Sequence, residues 1–372
     1  MPLFRIRALL LLLAAVIISA LAAREFSGMR TPDTILPAPS LTHSGLLSDY
    51  SPSLSGTGAD TKVLVYEGAA RGGTFLLLGG THPNEPAGFM AAVVLAENIT
   101  VRSGRVILIP QACESGFTAT DPLEGSPQHF TIPTRSGERS FRFGGRGANV
   151  VDQWPDPLVY LQFPSGQQLS GVETRNLNRA YPGRVDGTLT EQTAYAIMEL
   201  IRREAVTIAV DLHEAAPEIP IINALITHEK GQEIAAAAVL NLEFVGLQYA
   251  LELSPQNFRG LSHREWGDRT TAIPFLMETS NPIQGRLRGR TSAALVLDGT
   301  DPWYRLARRL GRMRITYEET GEPLEQRVGR HTQGIIALLE AYNEAHPEAP
   351  CVVEGIPTYE ELLAHGVGAF LK

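Results

Sequence analysis

Cysteine is nearly absent: Cys113 and Cys351 are the only two among 372 residues and stand 238 positions apart. That excludes a thiolate metal cage and a dense disulfide framework, while the spacing leaves open whether the two pair. A positive charge excess is also missing. Against 40 Asp+Glu stand 32 Lys+Arg, a net charge of −8, which argues against nucleic acid or acidic lipid as the main partner. No G-x-S-x-G turn occurs, so the serine-hydrolase elbow is excluded. The one long apolar run is 8–23, 16 residues behind Arg5 and Arg7. A basic flank, an apolar stretch shorter than the ~20 residues that span a bilayer and an A-x-A-like site at Ala20-Leu21-Ala22 read as an export signal or N-terminal membrane anchor over 1–23. Either reading puts the folded part outside the cytoplasm, secreted or periplasmic in a bacterial host.

The rest is ordinary globular material, 44% hydrophobic and 19% charged, with 35 Gly and 25 Pro supplying turns and shaped loops. Short apolar runs at 62–66, 74–78, 105–109, 206–211, 221–226 and 273–277 alternate with helical stretches at 87–97, 191–203, 230–240 and 328–345. The alternation predicts an α/β fold, a mixed or mostly parallel sheet covered on both faces, with functional groups at strand carboxyl ends. One core accounts for 61–345. A Ser/Thr/Pro/Gly-rich linker or strap, 24–60, precedes it, and a tail, 346–372, follows. The polar stretch 116–171, with Arg135, Arg139, Arg142 and Arg146, reads equally as an active-site wall and as a surface insertion.

Four motifs carry chemistry. Gly79-Gly80-Thr81-His82-Pro83-Asn84-Glu85-Pro86 sits between a strand and a helix, so His82 and Glu85 project together from that corner, where Asn84 or Glu85 can cap the helix. Asp211-Leu212-His213 ends another strand, with Asp211 and His213 on one face by period two. Zinc commonly takes three protein ligands and leaves a fourth position open; His228, after a further apolar run, is the rival to His213. Glu278 closes the run 273–277, where an unpaired buried carboxylate would be costly. Between these lies Arg175-Asn176-Leu177-Asn178-Arg179-Ala180-Tyr181-Pro182-Gly183, a set of donors able to hold a carboxylate.

Taken in order, G-G-T-H-x-x-E, N-x-N-R-x-Y-P-G, D-L-H and the strand-terminal M-E-T resemble the zinc carboxypeptidase superfamily, and most closely its succinylglutamate desuccinylase and aspartoacylase branch. The resemblance implies a three-layer α/β/α sandwich with a mixed, mostly parallel sheet. It implies one zinc per chain held by His82, Glu85 and His213, with Glu278 as the catalytic proton acceptor. It also implies that Asn178 and Arg179 grip a substrate carboxylate, so that the expected partner is a small molecule or peptide with a free carboxylate, cleaved at a neighbouring amide. Arg175 is the preferred oxyanion arginine, ahead of Arg142 and Arg146. Two departures stand out. Asn176 replaces an Asp that often orients a zinc-bound His, and the residues after Glu278 read as helical where this branch tends to carry a β domain.

Overall fold

Period-two alternation builds the central sheet: along Phe75-Leu76-Leu77-Leu78, odd and even side chains enter two different apolar clusters, one on each face. The computed structural model describes residues 3–121, 125–314 and 317–372. Met1 and Pro2 of the export-signal stretch and 122–124 of the polar stretch lie outside the described residues. Nine strands form the sheet: β1 (His43–Leu46), β2 (Lys62–Glu67), β3 (Ala70–Leu78), β4 (Thr100–Ile109), β5 (Ile208–Ala215), β6 (Ala224–Thr227), β7 (Ala250–Leu253), β8 (Ile273–Ser280) and β9 (Val352–Glu354). The spatial order is β1-β2-β4-β3-β5-β8-β6-β7, with β9 on the free part of β4. β4, β3, β5 and β8 run parallel through the centre, and antiparallel β2 and β6 flank them. The sheet is thus mixed, with the parallel centre the alternation predicts.

Five helices matter to the argument: α1 (Leu3–Gly28), α2 (Pro86–Asn98), α3 (Leu189–Arg203), α4 (Ser262–Arg269) and α5 (Leu324–Ala345). α2 is apolar on all sides and buried from Pro86 to Glu97, because it lies between the sheet and α5. α3 begins with a capping box, Thr188 and Glu191 each satisfying the other's backbone N–H. α3 and Trp266 of α4 cover the opposite face, completing three layers. The chain leaves β3 for β4 on one side and returns to β5 on the other, so the carboxyl ends of β3 and β5 flank a topological switch point, where open α/β sheets leave a crevice.

α1 has no buried residue along its 26 positions. The next residue, Met29, is fully buried, and Arg30 reaches Asp152 at 3.6 Å. From there to 60 the chain lies against the core, Ala38 N–H donating to Ala96 and β1 pairing antiparallel with β2. The stretch 116–171 contains two hairpins, His129–Thr134 with Gly137–Arg142 and Val159–Leu161 with Gln168–Ser170. Val352–Glu354 of the tail region joins the sheet. Cys113 and Cys351 are both free and buried, and burial pushes each thiol up to about 12. Neither is a thiolate at pH 8, so a disulfide-exchange reagent is expected to find no reactive thiol in the native protein and two after denaturation.

Candidate metal centre

Strand ends and two glycines assemble the site. Gly80 adopts φ +64°, and a Cβ there would meet the Phe117 ring at 2.8 Å, so the turn after β3 accepts only glycine. Gly88 lets α2 lie on β5: a Cβ would stand 2.6 Å from the Leu212 carbonyl oxygen. Glu85 occupies the N-cap position of α2, yet its carboxylate makes no cap bond. Glu214 takes that task, accepting from Ala87 N–H at 2.8 Å, and is itself paired with fully buried Arg327 at 2.7 Å. Glu85 is thereby left to face His82 and His213.

The three side chains converge. His82 Nδ1 is 2.9 Å from Glu85 Oε1, His213 Nδ1 is 3.0 Å from Glu85 Oε2, and the two Nδ1 atoms are 3.1 Å apart. All three residues are buried. The outer nitrogen of each ring lies beside an oxygen. His82 Nε2 meets Asn176 Oδ1 at 2.8 Å and His213 Nε2 lies 3.0 Å from Asp211 Oδ2. Asp211 in turn accepts from Thr81 Oγ1 at 2.7 Å and Ser262 Oγ at 2.6 Å. Outer-ring acceptors of this kind leave the inner nitrogens as lone-pair donors.

Burial pushes the His82 imidazole down to about 4, helped by Arg146 and opposed by Glu85. Burial also disfavours charge on His213, but Asp211 and Glu85 outweigh it and raise that imidazole well above its ordinary value. Burial likewise opposes ionisation of Glu85, and the two histidines overcome it and hold the carboxyl well below the usual range. Two imidazole nitrogens facing each other beside the Glu85 carboxylate form a donor set of net charge about −1, with the Asp211 carboxylate behind His213, which suits a divalent cation. Among the described residues, His82, Glu85 and His213 are the group whose ligand atoms all lie within 4.8 Å of one another.

Glu278 enters by register. Its Cα pairs with that of His213 across β8 and β5, and its Oε2 is buried without a hydrogen-bond partner. Burial first, then the charges of Glu85 and Asp211, push its carboxyl up to about 8 against the pull of His213 and Arg146. Asn178 Oδ1 accepts from Ser262 N–H at 2.8 Å. Arg179 stacks over Phe258, 4.9 Å from the ring centre, and lies 3.7 Å from Glu173. Among the predicted arginines the structure separates three positions. Arg175 makes a two-pronged bridge to Asp156 at 2.8 and 3.0 Å and donates to Ala148 O. Arg142 is buried on Asp33, Glu114 and the Met29 carbonyl. Arg146 alone of the three touches the cluster, 3.0 Å from Glu85 Oε1. His228 lies apart from the cluster; its Nε2 is 3.0 Å from Asp268 and its Nδ1 accepts from Lys230 N–H.

Sequence reasoning missed Ser262, Gln284, Arg327 and His331. Gln284 Nε2 donates to Glu85 Oε1 at 3.3 Å. His331 Nε2 lies 3.3 Å from Thr279 Oγ1. The one usable signal was the i, i+4 spacing of Arg327 and His331, two polar residues on the buried face of an amphipathic helix. Beside the cluster, Asn84, Arg146, Asn176 and Gln284 line a cavity of about 540 Å³, with Val150 and Val172 on its wall.

No family model matches the chain, and no curated protein does. Solved structures similar to it include a succinylglutamate desuccinylase/aspartoacylase from Rhodobacter sphaeroides, 17% identical over 61% of this chain and 54% of that one, TM-score 0.37. A metallo-carboxypeptidase from Burkholderia cenocepacia is 10% identical over 87% of this chain and 69% of that one, TM-score 0.46. A cell shape determinant protein from Helicobacter pylori is 14% identical over 82% and 58%, TM-score 0.46. The chain spans about half the length of the first solved structures it matches.

Proposed function

We propose that the protein is a zinc-dependent hydrolase that cleaves an amide bond next to a substrate carboxylate. The observation that carries the reading is the meeting of His82, Glu85 and His213 beside a carboxylate, Glu278, whose Oε2 has no other task. When bound, the metal would supply Lewis acidity toward a carbonyl and make water more acidic. Glu278, raised to about 8, is suited to accept a proton from water and return it to the leaving amine near neutral pH. Arg179, fixed by Phe258 and Glu173, would receive the substrate carboxylate, with Asn178 alongside. Arg146, rather than Arg175, would face a developing oxyanion, since Arg175 is occupied by Asp156.

Peptides with a free C-terminus and N-acyl amino acids both belong to the proposal. The test is hydrolysis of a panel of each by zinc-loaded protein, every substrate paired with a version whose carboxylate is amidated. Cleavage confined to free carboxylates supports the reading; equal cleavage of amidated partners removes it. Loss of one oxyanion donor costs about 10²–10³ in kcat, so Arg146→Ala is expected to fall in that range with its melting temperature kept. Arg175→Ala is expected to lose stability first. The reverse pattern would return the role to Arg175.

The helix α1, apolar through its middle and with no residue buried, is compatible with a signal or an anchor. We read it as an anchor. At ~1.5 Å per residue its 26 positions reach about 39 Å, close to the ~40–45 Å of a bilayer with its headgroups, and the uncharged run 8–23, about 24 Å, sits in the hydrocarbon with Arg7 and Arg24 at its two edges. Arg5 and Arg7 at its start favour an N-terminus on the cytoplasmic side and a domain outside.

A further inference from the structure

No free spacer separates α1 from the folded domain. Gly28 is the last helical residue and Met29 is already fully buried. Two residues span at most about 7.6 Å of chain, so Arg30 cannot lie far from the helix end. With Arg24 and Glu25 at the edge of the hydrocarbon, the final turn of the helix, Phe26 to Gly28, would lie among the headgroups. The domain surface around Arg30 would then rest on the bilayer.

That surface is apolar where it meets Arg30. Asp152, the partner of Arg30, is flanked by Val151, 76% exposed, and Trp154, 71% exposed, with Leu158 beyond them at 99%. Three large apolar side chains facing water within eight residues of one loop are unusual for a soluble surface. An indole at the rim of a membrane-facing loop has a physical rationale, because its amphipathic ring favours the headgroup level. The loop is also held in place: Asn149 Oδ1 accepts from Val151 N–H at 3.0 Å, and Asp152 Oδ2 accepts from Ser115 Oγ at 2.6 Å. Together with the Arg175–Asp156 bridge, these bonds fix the backbone on both sides of Trp154.

We propose that Val151, Trp154 and Leu158 form a membrane-contact surface, inserted at the headgroup level of the same bilayer that α1 enters. The neighbouring cavity wall, Val150 and Val172, then opens close to lipid, and amides held near the membrane surface reach the centre first. The inference rests on the anchor reading of α1. The occupant is a zwitterionic lipid surface, since the insertion is apolar and the chain carries a net charge of −8.

The test uses the full chain in phosphatidylcholine vesicles containing a nitroxide at a shallow acyl position. Trp303→Phe leaves Trp154 as the exposed indole, because Trp266 is fully buried. Vesicle flotation of protein of full-length mass supports the anchor. In the floated protein the nitroxide is expected to remove the greater part of the Trp154 emission, and this loss is expected to vanish in the Trp154→Phe, Trp303→Phe double variant. Floated protein with equal quenching in both variants overturns the proposal while leaving the anchor intact, and a second copy of the chain covering Trp154 would give that result. Protein that does not float, or that has lost its first 23 residues, removes the anchor and this surface with it.

Discussion

Glu278→Gln is expected to retain zinc and bind a carboxylate-bearing substrate while turnover falls by at least ~10²–10⁴, the range that general acid-base catalysis supplies. The substitution keeps the side chain's size and its reach beside His213 but removes its basicity. His82, Glu85 and His213 remain, so metal content by atomic absorption is expected to stay near one per chain. Stability carries a second signature. The folded carboxyl is raised to about 8 from an ordinary 4.5, which favours the protonated form in the folded state. Its contribution is therefore complete below about pH 4.5 and is lost as pH rises through about 8. Chelator-treated Glu278→Gln is expected to lack that loss, so its melting temperature should exceed that of the parent at pH 9 by more than at pH 5. Near-normal turnover would remove Glu278 from the reaction.

The second large effect concerns the ligands. His213→Ala and His82→Ala each leave two donors, and both proteins are expected to emerge from dialysis without zinc and without measurable activity. They are expected to differ in stability. His213 stands between Asp211 and Glu85, both buried, and losing it strands two carboxylates, a change that typically costs about 3–5 kcal/mol in a buried ion pair. His82 is held down near 4 and is neutral at pH 7, so its removal disturbs the charge balance less. Denaturant titration of the two metal-free variants beside metal-free parent measures the gap. Full zinc retention by His213→Ala would show that the ligand set lies elsewhere.

Much of this arrangement was legible in the chain. The strands and helices of the core follow from periodicity because each buries one face or both, and His82, Glu85, His213 and Glu278 stand at strand ends where polar side chains interrupt apolar runs. Other elements left no such trace. β7 has all four residues exposed, so no burial pattern marks it. α4 reads Ser-His-Arg-Glu-Trp-Gly-Asp-Arg and lacks an apolar stripe; its polar side chains are satisfied by distant partners, with Ser262 on Asp211 and Arg264 on Glu229. The arginines show the limit most plainly. Arg146 and Arg175 are equivalent as letters, and only the fold decides that Asp156 engages one while Glu85 engages the other. Charge partners separated by tens of residues are set by topology, which local spacing does not encode.

The pairing of Glu214 with Arg327 has a consequence for the order of events during biosynthesis. Glu214 can relieve Glu85 of capping α2 only while Arg327 balances its charge, and the two lie 113 residues apart. His82 and Glu85 leave the ribosome early, long before the helix that carries Arg327 exists. A partly made chain therefore holds the first two ligands without the support that aims them at a common point, and has little power to compete for metal in the compartment where it is translated. If the centre binds metal as proposed, loading would be a late step, reserved for the chain that has docked α5 and so completed its fold.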